Sequence, residues 1–160
     1  FAELLRVSTP MEDKNRELFR FFLKTMYLLQ EWENTEVLGR IYEIKLMAIQ
    51  GFAPEIFRCV GCGEKVFDKI YFSTLMGGIL CLNCRERDRK AINITPHTLS
   101  VLQKMLMKTY EELEGIQVKE YTKEQLKSIS NLFISHHIDR KLKTVQFIKD
   151  VNNLKTGNSI

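Results

Sequence analysis

The sequence predicts a mainly α chain: a small helical bundle interrupted by a zinc-ribbon-like insert that carries four cysteines. Three observations lead there. Cys59, Cys62, Cys81 and Cys84 are the only cysteines, spaced C-x2-C-x18-C-x2-C, the pattern of paired knuckles that close on one tetrahedral metal ion. Apolar residues recur at helical spacing on both sides of this stretch. With 160 residues, 44% of them hydrophobic, the chain can build a real core. One domain over 1–160 is expected, with 57–86 as the insert.

Taken in order, Thr9-Pro10-Met11-Glu12 reads as a helix start, with Thr9 as cap, Pro10 in the first turn and Glu12 completing a capping box. Leu18, Phe22, Thr25, Leu29 and Trp32 follow in helical register, and Phe21 and Leu28 widen the stripe. Asn34 or Thr35 starts a second helix, lined by Val37, Ile41, Ile44 and Ala48 and ended by Gly51 and Pro54. Within the insert, Ile70–Ser73 and Ile79-Leu80 form a short hairpin about Gly77-Gly78. Thr95-Pro96 starts a third helix with Leu99, Leu102 and Leu106 in register, and Gly115 breaks the chain. Thr122 and Gln125 read as a further capping box, leading into Leu126, Ile129, Phe133 and His137. A short helix from about Thr144 carries Phe147, Ile148 and Val151, and residues 155–160 read as a frayed tail.

Three chemistries compete for the cysteines. Two disulfides belong to oxidising compartments and to domains too small for a core; this chain has neither sign. A redox C-x-x-C pair needs a helix start in a βαβ setting, and two matched pairs argue against it. Structural Zn²⁺ fits best. Four thiolates leave no open coordination position, so a catalytic metal is not expected. The cysteine usage points to a reducing cytosol. Arg58, Lys65, Arg85, Arg87 and Arg89 surround the insert. They are read first as solvated balance for thiolate charge, and second as nucleic-acid contacts.

The formal charge is +4 and the pI near 8.9, which permits an acidic partner without demanding one. No apolar run reaches the ~18 residues of a membrane span. No serine–histidine–acid set or nucleotide-binding glycine loop occurs, so no enzyme is expected. His136, His137, Asp139, Arg140, Lys141 and Lys143 cluster near the end of the last long helix. Helix-dipole capping competes there with phosphate contact. Adjacent histidines point to different helix faces and cannot easily share an ion. Arg40 beside Ile41 and Ile44 reads either as a snorkelling edge residue or as an anion site beside an apolar groove. The first residue is Phe1, not methionine, so a fragment or processed form is expected.

Leu38-Gly39-Arg40-Ile41-Tyr42-Glu43-Ile44-Lys45-Leu46, Gly51-Phe52-Ala53-Pro54-Glu55 and Arg58-Cys59 resemble a helix and its run-in from the bacterial recombination mediator family RecO. Phe72-Ser73, with Gly77-Gly78-Ile79-Leu80-Cys81, resembles that family's zinc segment. His136-His137-Ile138-Asp139-Arg140-Lys141-Leu142-Lys143 is similar to its C-terminal signature, with aspartate where glycine is commoner. The resemblance runs from about residue 10 to 152. It implies a helical domain with a zinc-finger-like insert that follows an OB-fold absent from this chain. It also implies strand annealing and, with RecR, loading of RecA onto DNA coated by single-strand DNA-binding protein. Implied partners are RecR, the acidic, hydrophobic tail of the coating protein, and single- and double-stranded DNA, in a cytoplasmic, nucleoid-associated setting. By resemblance, Arg40, Ile41 and Ile44 become candidates for the tail groove, and Arg140, Lys141 and Lys143 for DNA contact. The rival expectation is a zinc and helix module that docks a partner with no DNA contact.

Overall fold

A computed structural model of the chain describes residues 1–9, 15–65 and 68–138. Among these described residues six helices and a three-stranded sheet follow in order. These are α1 (Ala2–Ser8), α2 (Arg16–Leu28), α3 (Thr35–Ile49), β1 (Ile70–Ser73), β2 (Gly78–Cys81), β3 (Ile92–Ile94), α4 (Pro96–Met107), α5 (Tyr110–Leu113) and α6 (Glu120–His137). A 3₁₀ turn, Leu82–Arg87, lies between β2 and β3. The chain is mainly helical with a cysteine-bearing insert, as its sequence predicts.

The first expected boundary is corrected. Thr9 ends a helix instead of starting one: its hydroxyl donates to Leu5 O at 2.8 Å, after α1. Asn15 caps α2, its side chain accepting from Leu18 N at 2.9 Å. Pro10 and Glu12 lie outside the described residues, as do the expected helix near Thr144 and the tail.

The centre of the bundle is α3, packed by α2, α4 and α6. Val37, Leu38, Ile41, Tyr42, Ile44, Leu46 and Met47 are all buried, more than one amphipathic stripe can supply, so α3 is covered around most of its circumference. Asn34 caps its start, accepting from Val37 N. At its end Gly51 takes φ +89°, Gly51 N donates to Ala48 O and Phe52 N to Met47 O. This paired closure needs a left-handed residue that glycine supplies without strain.

Thr95 caps α4 through Thr98 N. The box expected at Thr122 does not form, because α6 starts earlier, at Glu120 after Lys119. Thr122 is buried inside the helix, and Gln125 is used elsewhere. Its amide accepts from Thr95 N at 3.2 Å and Thr98 Oγ1 at 2.5 Å and donates to Asn93 O at 3.3 Å. That one side chain ties α6 to the end of β3 and the start of α4. A capping box does exist at Thr109 and Glu112, opening the unforeseen α5. Tyr110 then reaches Thr25 Oγ1 at 2.7 Å, and Phe21 stacks between Tyr42 and Tyr110 at 5.4 and 5.9 Å.

The sheet order is β2-β1-β3, antiparallel throughout, with Phe72 opposite Ile79 and Ile92. Both β1 and β2 are buried on both faces. Because successive strand residues point to opposite sides, Ile70, Phe72 and Ile79 enter the helical core, where Phe72 meets Phe133 edge-on at 5.8 Å. Tyr71 and Leu80 face the other way, into a second cluster with Cys59, Cys81 and Cys84. The sheet is therefore the wall shared by the bundle and the cysteine module.

Candidate metal centre

The first knuckle is built from two glycines with different tasks. Cys59 N donates to Glu64 O at 2.7 Å and Gly63 N to Cys59 O at 2.8 Å, which turns the chain within five residues. Gly63 takes φ +79° to allow it. Gly61 is there for space: a methyl group on it would lie 2.8 Å from Cys84 Sγ. The second knuckle leaves β2 at Cys81 and places Cys84 on the 3₁₀ turn. Cys59, Cys81 and Cys84 are buried, and Cys62 is exposed.

All four sulfurs lie within 4.8 Å of one another. Cys62 Sγ and Cys81 Sγ stand 3.7 Å apart, far beyond the ~2.05 Å of a disulfide. A tetrahedron of ~2.3 Å Zn–S bonds has sulfur–sulfur edges of about 3.8 Å. The donor set and its spacing therefore fit one zinc-sized ion, and Cys59, Cys62, Cys81 and Cys84 come together as the sequence expects. Sequence reasoning did not single out the backbone donors: Gly61 N and Cys81 N point at Cys59 Sγ at 3.4 and 3.3 Å. Burial pushes the Cys59 thiol up, but these N–H groups and that of Cys62 outweigh it and hold the thiol down at about 6. Burial and the neighbouring thiols push Cys84 up to about 12. A cation held by these four sulfurs would relieve that crowding, because coordinated thiols lose their protons outright.

Among the basic residues around the insert, Arg58 pairs with Glu55 at 2.9 Å and Arg89 with Glu86 at 3.1 Å. Arg85 pairs with Glu86 at 3.4 Å and lies 5.2 Å over the Tyr71 ring. Exposed pairs of this kind contribute little to stability, but they occupy three of the five cations named from the sequence.

The expected tail groove is corrected. Ile41 and Ile44 are buried in the core and offer no surface, because α3 is enclosed on nearly every side. Arg40 Nη2 pairs with Glu43 Oε1 at 2.9 Å. Its Nε and Nη1, Glu43 Oε2 and Ser130 Oγ are buried without hydrogen-bond partners. Burial pushes the Glu43 carboxyl above its usual range, against the pull of the Arg40 guanidinium. His137 is half-buried, its Nδ1 2.9 Å from Phe133 O and its ring against Phe52 and Phe133, so it sits at the core edge. Arg140, Lys141 and Lys143 lie outside the described residues. No helix among the described residues is long and apolar enough to cross a membrane.

A family model described as Recombination protein O C terminal matches residues 1–146. The chain belongs to this family. Among curated relatives, the protein named DNA repair protein RecO of Acetivibrio thermocellus is 29% identical over 139 residues, covering 86% of this chain and 55% of the relative. The protein of the same name from Alkaliphilus metalliredigens is 31% identical over 139 residues, 86% of this chain and 56% of its own length. That of Bacillus subtilis is 29% identical over 154 residues, 96% of this chain and 60% of its own. This Recombination protein O C-terminal chain thus spans just over half the length of the curated relatives it matches. The family match takes in the bundle, the cysteine module and the positions of Arg140, Lys141 and Lys143.

Proposed function

We propose that this chain is the C-terminal helical part, 1–160, of a RecO-type recombination mediator acting in DNA repair. The 57–86 insert is held by a structural Zn²⁺ on Cys59, Cys62, Cys81 and Cys84. The single observation that carries the reading is the family match over residues 1–146, supported by relatives named DNA repair protein RecO. In this reading the chain binds and positions, and makes no covalent change. Four thiolates would close the coordination shell, so the ion supplies rigidity rather than an open Lewis-acid position.

The finer assignments rest on the resemblance. RecR, the tail of a single-strand DNA-binding protein, and single- and double-stranded DNA are the partners proposed. Arg140, Lys141 and Lys143 are proposed to contact the DNA backbone. Of the tail-binding set only Arg40 is retained, as an anion contact, since Ile41 and Ile44 are enclosed. The test is annealing of complementary oligonucleotides at several salt concentrations. Arg140→Ala with Lys141→Ala is expected to weaken DNA binding and flatten the logarithmic salt slope by about one per lost contact. An unchanged slope removes the DNA assignment. A second reading, docking of a protein partner without DNA contact, draws on the ion pairs that occupy Arg58, Arg85 and Arg89. DNA-free behaviour of the chain at low salt would select it.

A further inference from the structure

The four sulfurs of the cysteine module are not equally guarded. Cys59, Cys81 and Cys84 are 1%, 7% and 7% exposed, whereas Cys62 is exposed. Cys84 is covered by the first knuckle itself, since Gly61 leaves no room for a methyl group against its Sγ, and the Arg87 stem lies at the same place. Cys59 Sγ is held by two backbone donors, Gly61 N at 3.4 Å and Cys81 N at 3.3 Å. Cys81 Sγ stands 3.7 Å from Cys62 Sγ. The one accessible sulfur therefore touches a buried sulfur of the other knuckle, the arrangement in which an oxidised thiol is resolved by its neighbour.

We infer that Cys62 is an oxidation site, at which hydrogen peroxide drives closure of a Cys62–Cys81 disulfide and release of the ion. The inference rests on the zinc reading above and adds to it a single point of attack. Thiolate character and exposure decide which cysteine a peroxide reaches. Every zinc ligand is a thiolate, so exposure is what separates the four. The Cys62 sulfur attacks one peroxide oxygen and the O–O bond breaks, giving a sulfenic acid and hydroxide. The Cys81 thiolate then attacks the Cys62 sulfur, the S–O bond breaks and a second hydroxide leaves. Two thiolates have given two electrons to the peroxide, and two protons from the solvent turn both hydroxides into water. Cys59 and Cys84 remain as thiolates, too few to keep a closed shell of four ligands. Pairing inside the first knuckle would have to draw Cys59 off both of its backbone donors. The Cys62–Cys81 bond instead joins the first knuckle to the end of β2, the two segments that the ion joins. The module therefore loses its metal without coming apart, and a thiol reductant reverses the change.

The test is titration of the zinc-loaded 160-residue chain with hydrogen peroxide, while a chromophoric chelator reports free zinc and mass spectrometry maps the product. Zinc release in step with the loss of two thiols, a linked Cys62–Cys81 peptide, and renewed zinc binding after dithiothreitol are expected. Cys62→His keeps an ordinary set of four zinc ligands without the exposed thiol, and its zinc should leave several-fold more slowly. Cys81→His should leave Cys62 as a sulfenic acid, trapped by dimedone, with no disulfide. Should either variant fail to hold zinc, limiting iodoacetamide on the zinc-loaded parent gives the same answer: Cys62 is expected to be alkylated first. A zinc-loaded parent whose oxidation or alkylation begins at another cysteine overturns the inference. So does a disulfide formed within one knuckle, or a Cys62→His variant that loses zinc at the parental rate. A parent that purifies without zinc is seen before any peroxide is added; it removes the metal reading itself, and this inference with it.

Discussion

Gly61 and Cys84 approach so closely that the first knuckle has no room for a side chain: a methyl on Gly61 would lie 2.8 Å from Cys84 Sγ and 2.9 Å from its Cβ. Gly61→Ala must therefore push the two knuckles apart, although Gly61 needs no left-handed backbone. The variant is expected to hold zinc more weakly than the parent, measured by competition with a chromophoric chelator. Equal zinc affinity would mean that the knuckles can spread without cost.

A second close approach ties the hairpin to the chain entering the insert. A methyl on Gly78 would lie 2.3 Å from Glu55 O, in the place where Glu55 N donates to Gly77 O and Ile79 N to Glu55 O. The Glu55 carbonyl is backbone held in these bonds and cannot swing aside, and Val60 Cγ1 crowds the same place at 2.8 Å. Gly78→Ala is expected to destabilise by about 1–3 kcal/mol, the usual cost of overpacking, measured by denaturant unfolding. A change below a few tenths would show that the 55–60 segment does not hold β2.

Glu43 makes a pH prediction. Burial raises its carboxyl above the usual range even though Arg40 pulls it down. An acid with a raised value binds its proton more tightly folded than unfolded. Its stabilising contribution is therefore fully present below the ordinary glutamate range and is lost as pH rises through the raised value. Relative to Glu43→Gln, the parent should lose stability as pH rises from about 4 toward neutrality. A flat or opposite difference between the two unfolding curves would contradict this.

Gln125 spans three elements, and Gln125→Ala strands Thr95 N and the Asn93 carbonyl at once. A loss of about 0.5–1.5 kcal/mol is expected, the ordinary net worth of such bonds, because Thr95 N is only half-buried and the Asn93 carbonyl is exposed. Faster hydrogen exchange at the start of α4 should accompany it. Unaltered exchange there would mean that water replaces the amide fully.

The cysteine spacing, the hairpin about Gly77 and the caps at Asn34 and Thr95 were legible because each is a local signal: two residues per knuckle, a positive-φ glycine, an oxygen three residues before a free N–H. What escaped is set by tertiary contact. The strand β3 has three residues and no period of its own; it exists because β1 offers an open edge to Ile92 and Ile94. Gln125 looked like a helix cap and is recruited thirty residues away. Ile41 and Ile44 looked like the floor of a groove beside Arg40. Only packing on several sides of α3 shows them enclosed, since a helix that is apolar on most faces carries no record of which face is covered last.

The structural claim on which the rest depends is a single ion gripped by both knuckles on the back of the sheet. Zinc content of the purified chain, measured alongside a Cys84→Ser variant, tests it most directly. One zinc per parent chain, lost in the variant together with slow hydrogen exchange at Tyr71 and Leu80, is the predicted result. A metal-free parent whose β1–β2 amides exchange as slowly with chelator as without it would contradict the claim.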